Sequence, residues 1–218
     1  MSIADRVRAI RNSLPQYVIL EAAAKTRQPD QVLEAVHAGV TILGYNYVQE
    51  ADSIQKSINV NVKWHMIGHL QTNKVKQAVR LFDMIETIDS EKLAAQVDKK
   101  CRDIGKKMPV LIEVNSGEEP QKNGVMPRNV ISFVKDISKL PNILIRGLMT
   151  MGPWVEDPAE LITCYQKTGK LYDKVQKQNI PNTDISYLSM GMSDSYETAV
   201  REGANLVRIG TALFGPRK

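Results

Sequence analysis

Apolar and polar positions along the chain follow two alternating rhythms. Short runs rich in aliphatic and β-branched residues recur from one end to the other: Tyr17–Ala24, Thr41–Gly44, Lys63–Ile67, Met84–Thr87, Pro109–Val114, Ile143–Leu148, Ile185–Ser189 and Leu206–Ile209. Their composition predicts strands. Each run except the last is followed by a longer stretch with apolar residues three and four apart, the helical period. Several helix boundaries are legible. Pro29-Asp30 opens a helix that stops at Gly39, and Asp89-Ser90-Glu91 opens one that stops at Gly105. Ser193-Asp194 opens one that stops at Gly203, while Pro127 and Pro158 sit near two further starts. The N-terminal MSIADRVRAIRNSL reads as an amphipathic first helix.

Strand–helix alternation calls for parallel strands covered by helices. Eight such units in 218 residues fit an α/β fold of the (β/α)8 TIM-type barrel class, one domain over residues 1–218. The competing architecture is an open doubly wound sheet. Against it, the first strand runs into Lys25-Thr26, with neither of the glycine-rich phosphate loops that such sheets use.

Composition narrows the function classes. At 43% hydrophobic, the chain can build a substantial core without disulfides. Cys101 and Cys164 lie far apart and in no metal-type spacing, which points to a reducing compartment, the cytoplasm. No apolar stretch is long enough to cross a bilayer, so no membrane partner is expected. The net charge of +5 is spread along the chain. Lys74, Lys76, Lys99, Lys100, Lys106 and Lys107 fall on expected helices beside acids and read as solvated faces, so no nucleic-acid partner is expected. A basic balance also suits an anionic small ligand.

In a barrel, chemistry gathers where strands end and loops begin. Those points carry Lys25, Asn46, His65 with Gly68-His69, Thr87, Asn115, Met149, Ser189-Met190-Gly191, and Arg208 with Gly210-Thr211. Lys25 ends the apolar run YVILEAAAKT. It is either simply past the strand end or wanted as a neutral amine, since apolar surroundings lower an ammonium's pKa. SMGMSDSYETAVREG and RIGTALFG each place small and hydroxyl residues directly before a helix. Such backbone approaches an anion closely and offers it unpaired amides. Ser193, Gly210 and Thr211 therefore read as a phosphate site at the last two strands; the plain alternative is a helix cap and a tight turn. A lysine facing phosphate across the mouth suits a Schiff base with a phosphorylated aldehyde, and pyridoxal 5′-phosphate fits. Arg208 would then face the ring nitrogen and keep it unprotonated, or it is an ordinary strand-end ion pair. His65 and His69 straddle a strand end, so no metal pair on one helix face is expected. The loop GEEPQKNG reads either as a mobile rim or as solvated chain, and Trp154 falls in a Pro-Glu-Asp loop where exposure is expected.

AAAKT, GYNYVQE, WHMIGHLQTNKVK, PVLIEVNSGEEPQKNGV, RGLMTM and LSMGMSDSYETAVREGANLVRIGTALFG resemble, in order and across nearly the whole chain, the pyridoxal phosphate homeostasis protein family. That resemblance implies the single-barrel form of the fold-type III pyridoxal phosphate enzymes, related to the N-terminal domain of alanine racemase. It implies that Lys25 carries the internal aldimine and that Ser193, Gly210 and Thr211 hold the phosphate. Arg208 would face the ring nitrogen, with Asn46, Met190 and Gly191 lining the pocket and His65 near it. Two positions depart from the family pattern: Ala24 stands where it usually has Ser, and Tyr45 where it usually has Glu.

The function this implies is a non-catalytic carrier or buffer of pyridoxal phosphate, with apo forms of enzymes that use this cofactor as implied partners and a monomer as the expected state. The alternatives are an amino-acid racemase or other fold-type III enzyme, and a cofactor-free lysine aldolase. Two-base racemisation needs an acid/base on each face of the substrate, usually lysine and tyrosine. Alanine racemase takes that tyrosine from a second domain, whereas this chain stops at Lys218, shortly after Thr211. Tyr45, Tyr47 and Tyr196 are possible substitutes, each better explained by packing.

Overall fold

A computed structural model describes residues 1–152 and 157–216; Trp154 lies outside them. Eight strands close into a parallel barrel in chain order: β1 (Ile19–Ala23), β2 (Ile42–Tyr45), β3 (Lys63–Met66), β4 (Met84–Ile88), β5 (Met108–Glu113), β6 (Ile143–Met149), β7 (Thr183–Ser189) and β8 (Leu206–Ile209), which pairs back onto β1. Helix α1 (Ile3–Ser13) precedes the barrel. Helices α2 (Pro29–His37), α3 (Val48–Ser57), α4 (Val75–Leu81), α5 (Glu91–Arg102), α6 (Val130–Ile137), α7 (Pro158–Lys177) and α8 (Tyr196–Arg201) follow β1 to β7 in turn. The expected (β/α)8 barrel is thus the observed architecture. A single helical turn, α9 (Thr211–Phe214), also follows β8.

The strands read as continuous apolar runs because both faces are covered. One face looks outward: Leu20, Leu43, Trp64, Ile85, Val110, Ile145, Leu188 and Val207 join the helices in the main core. The other looks into the lumen, and its layers can be counted by twos. Met84, Leu111 and Met149, with Tyr187 against them, form a small separate apolar plug. Two residues further along β4, β5 and β7 come Glu86, Glu113 and Ser189, so a polar layer lies directly above the plug. Above that layer is the mouth.

Several expected boundaries shift for physical reasons. Tyr17 is exposed, and a turn in which the Val18 amide bonds Pro15 O delays β1 to Ile19. Helix α8 starts at Tyr196, with Ser195 in the cap position, so Ser193 does not cap it. Lys106, read as a solvated helix lysine, lies past α5. Its ammonium donates to the Val79 and Phe82 carbonyls at 2.9 and 2.6 Å, satisfying the C-terminal end of α4. Both cysteines are buried free thiols.

Candidate functional site

A cavity of about 280 Å³ opens at the C-terminal ends of the strands. Of the eight residues that the resemblance assigns to the pocket itself, six line it: Lys25, Asn46, Ser193, Arg208, Gly210 and Thr211; His65, expected near it, is not among the lining residues. Ala23, Ile67, Met151, Met192 and Asp194 complete the wall. Met190 and Gly191 do not line it. Met190 is fully buried, and Gly191 accepts the Arg208 amide at its carbonyl. Gly191 has φ +93°, and a Cβ there would meet the Ala199 Cβ at 2.7 Å, so it lets the chain turn tightly into α8. The methionines facing the cavity are Met151 and Met192.

Lys25 reaches the mouth by strand parity. Glu21, Ala23 and Lys25 alternate onto the lumen side of β1 and its continuation, and the Ala24 amide still bonds Gly44 O at 2.9 Å. Lys25 is half-buried. The chain just after it is tied down twice. The Thr26 amide donates to the Glu50 carboxylate of α3, and Arg27 donates to Gly215 O at 2.6 Å. Thr26 takes φ +65°, an uncommon conformation for a β-branched residue. The backbone is therefore held in an unfavourable turn beside the lysine, a pattern concentrated at functional sites.

On the β7–β8 side, the Ser193 hydroxyl oxygen accepts the Gly210 and Ala212 amides at 3.2 and 3.1 Å. Accepting two donors leaves its own proton to point elsewhere, so Ser193 gathers the polarity of two amides into one hydroxyl donor. The Thr211 amide, first in α9, has no acceptor within its own helix. This corner of the cavity thus offers a hydroxyl donor and a helix-start amide, the kind of groups that can meet an anion.

Asn46 leads from β2 into α3, against the end of β3. A Cβ at Gly68 would lie 2.5 Å from Asn46 O and 2.6 Å from its Cα. Only glycine permits this contact. Thr87 donates to Gly68 O at 2.7 Å, so β4 fixes the glycine that supports Asn46.

Beneath the cavity lies the polar layer. Arg208, only 2% exposed, donates through Nη1 to the Ser189 hydroxyl and through Nη2 to Thr150 O at 2.7 Å. Ser189 donates to Glu86 Oε2 at 2.7 Å, and His65 Nδ1 lies 2.9 Å from Glu86 Oε1. Glu21 Oε1 is 3.4 Å from the same nitrogen without hydrogen-bond geometry, so it acts on His65 through charge. Burial would lower the His65 pKa, but the two carboxylates overcome it and hold the imidazolium up to about 10. Burial likewise works to raise Glu86; His65, Arg208 and Ser189 outweigh it and keep Glu86 ionised. Glu21, desolvated and facing the Glu86 charge, is pushed upward. Glu21, His65 and Glu86 are also close enough for a metal ion, yet His65 and Arg208 already supply two positive charges to the two acids.

A second cavity of about 400 Å³ adjoins the first, sharing Met151 and Met192 as walls and lined by Glu113, Asn115 and Thr150. Burial, then the Asp89 charge, pushes Glu113 up to about 7 against the pull of Arg208. The 115–126 loop at its rim is internally bonded. Asn115 donates to the Glu119 carbonyl at 2.7 Å and accepts the Glu119 amide at 3.1 Å, while Lys167 pairs with Glu118 at 2.6 Å.

Tyr45, Tyr47 and Tyr196 are not among the residues that line the Lys25 cavity. Tyr45 is fully buried and stacks on Trp64 with centroids 5.5 Å apart. Tyr47 is exposed, and the Tyr196 hydroxyl faces Ser13 at 3.3 Å. The sequence reading missed Glu21, Glu86 and Glu113. The signal was present: each is an acid inside an apolar strand run, as in YVILEAAAKT and MIETI.

The chain matches the family model of the alanine racemase N-terminal domain over residues 2–218. It is 37% identical over 203 residues to the pyridoxal phosphate homeostasis protein of Haemophilus influenzae, covering 92% of this chain and 85% of that one. It is 38% identical over 200 residues to the protein of the same name from Aquifex aeolicus, covering 91% and 87%. Among solved structures, PipY of Synechococcus elongatus with pyridoxal phosphate bound superposes with a TM-score of 0.91 at 34% identity, over 98% of this chain and 100% of that one. Alanine racemase of Clostridium difficile superposes with a TM-score of 0.86 at 14% identity, over 99% of this chain and 57% of the enzyme, a likeness of fold.

Proposed function

The chain belongs to the pyridoxal phosphate homeostasis protein family, and from that premise we propose that the Lys25 cavity binds pyridoxal 5′-phosphate and that the protein holds and supplies this cofactor. When bound, the cofactor contributes an electrophilic aldehyde and an electron-withdrawing ring. The chain contributes the rest. Lys25 offers the amine that captures the aldehyde. Ser193, Gly210 and Thr211 receive the phosphate through one hydroxyl donor and backbone amides. Arg208, a permanent donor, meets the ring nitrogen and leaves it unprotonated. Asn46 closes the wall beside Lys25.

The observation that carries this reading is convergence. An amine from the end of β1, a guanidinium from β8 and an anion-suited corner from the β7–α8 and β8–α9 loops line one cavity. A buffering role in place of amino-acid turnover is supported by the donor at the ring nitrogen, which weakens the ring as an electron sink. It is supported too by the distribution of the tyrosines: among the described residues, none lines the Lys25 cavity. Apo forms of enzymes that need the cofactor are the recipients this role implies.

The test is spectroscopic. Protein reconstituted with pyridoxal phosphate should show an imine absorbance band that is absent in Lys25→Ala, and should exchange no α-proton of any common amino acid in deuterated water. An unchanged band in the variant would contradict the role of Lys25. Measurable exchange would make the protein an enzyme.

A further inference from the structure

We propose that Ser189 and Glu86 are positioning residues for Arg208: with His65 behind them they form a one-way hydrogen-bond relay that fixes how the guanidinium is presented to the ring of a bound ligand. The inference rests on the reading of the Lys25 cavity given above and deepens it.

Direction follows from donor and acceptor counts. Arg208 only donates, and an ionised carboxylate only accepts. Ser189 stands between them, so its single proton must go to Glu86 Oε2 at 2.7 Å and its lone pair must receive Arg208 Nη1. His65 occupies the other oxygen of Glu86 at 2.9 Å, which stops the carboxylate from turning. The second terminal nitrogen of Arg208 is held by Thr150 O at 2.7 Å. Two anchors on a planar fork fix its plane. Nη2 also lies 3.7 Å from Met151 Sδ, so these contacts use only some of the five N–H groups of Arg208, a residue that lines the cavity.

Charge points the same way. An arginine 2% exposed needs compensation: in the layer Glu21 and Glu86 face His65 and Arg208, while the third acid, Glu113, is pushed by burial towards its neutral form. The relay draws on β3, β4, β7 and β8. Glu86, Ser189 and His65 do not line the Lys25 cavity, so they act on a ligand there only through Arg208.

The test compares two ligands in three proteins: pyridoxal phosphate and its analogue with C–H in place of the ring nitrogen, against the unsubstituted protein, Ser189→Ala and Glu86→Gln. Ser189→Ala should weaken pyridoxal phosphate about tenfold and the analogue by no more than about twofold, as expected for one misplaced charge-assisted hydrogen bond. Glu86→Gln, which keeps an acceptor but removes the charge, should fall between. In the ligand-free protein, the guanidinium protons of Arg208 followed by nitrogen-15 NMR should exchange with solvent at least about tenfold faster in both variants. Equal weakening of both ligands would show a merely structural role, and unchanged exchange would show that no relay exists; either overturns the proposal. An unsubstituted protein that binds neither ligand would instead contradict the Lys25 reading, and the exchange measurement would still decide the relay.

Discussion

Tyr45 shows how a single buried atom can be judged by its partners. Its ring is well placed, stacked on Trp64, but its hydroxyl has no hydrogen-bond partner among the described residues. A desolvated, unpaired hydroxyl is a net cost. Tyr45→Phe should therefore stabilise the protein by about 1 kcal/mol in urea unfolding; a loss of that size would mean the hydroxyl is satisfied in solution. Glu113 gives a pH-dependent counterpart. Its pKa is raised from 4.5 to about 7, chiefly by burial. Below 4.5 the carboxyl is neutral in both folded and unfolded chains, and its contribution to stability is fully present. As pH rises through 7 the folded protein must ionise it in place, and that contribution is lost. Glu113→Gln should flatten the stability profile across this window and leave the variant about 2 kcal/mol more stable at pH 8. An unchanged profile would show that Glu113 is already ionised and compensated.

At the level of elements, the loops after the strands set the site, and they were the least legible part of the chain. The identity of the strands was plain in YVILEAAAKT and RIGTALFG, and so was their order around the barrel. Which face of each strand looks inward was not. Both faces of a parallel barrel strand are apolar, so the period of two that betrays a half-exposed strand is erased. That is why Glu21 and Glu86 passed unnoticed within their runs. Beyond a strand end no period applies at all, so nothing in the pattern could correct the resemblance where it gave Met190 and Gly191 to the pocket and Met192 faces the cavity, and Ser193 was read as opening α8. Gly68 was legible as a strand-end glycine, but its purpose appears only in three dimensions, as the contact that lets β3 close on Asn46. Gly68→Ala forces two segments of backbone apart. It should cost about 2 kcal/mol of stability and weaken pyridoxal phosphate binding, read by calorimetry. Full retention of affinity would remove Asn46 from the site.

For the whole molecule, the barrel does what no local segment can. It brings the end of its first strand beside the ends of its last two, across most of the length of the chain, so Lys25 and Thr211 become neighbours around one cavity. The fold was legible because eight strand–helix units leave few ways to close. The convergence of Lys25, Asn46, Ser193, Arg208, Gly210 and Thr211 was legible because barrels gather chemistry at one end. The floor that supports them was not. It depends on lumen-facing side chains from β1, β3, β4, β7 and β8 meeting in a single layer.

The most direct measurement is borohydride reduction of the protein loaded with pyridoxal phosphate, followed by peptide mapping of the stable adduct by mass spectrometry. The account predicts one phosphopyridoxyl group, on the peptide that contains Lys25 and on its side-chain nitrogen. An adduct confined to any other lysine, or none at all after demonstrated binding, would contradict it.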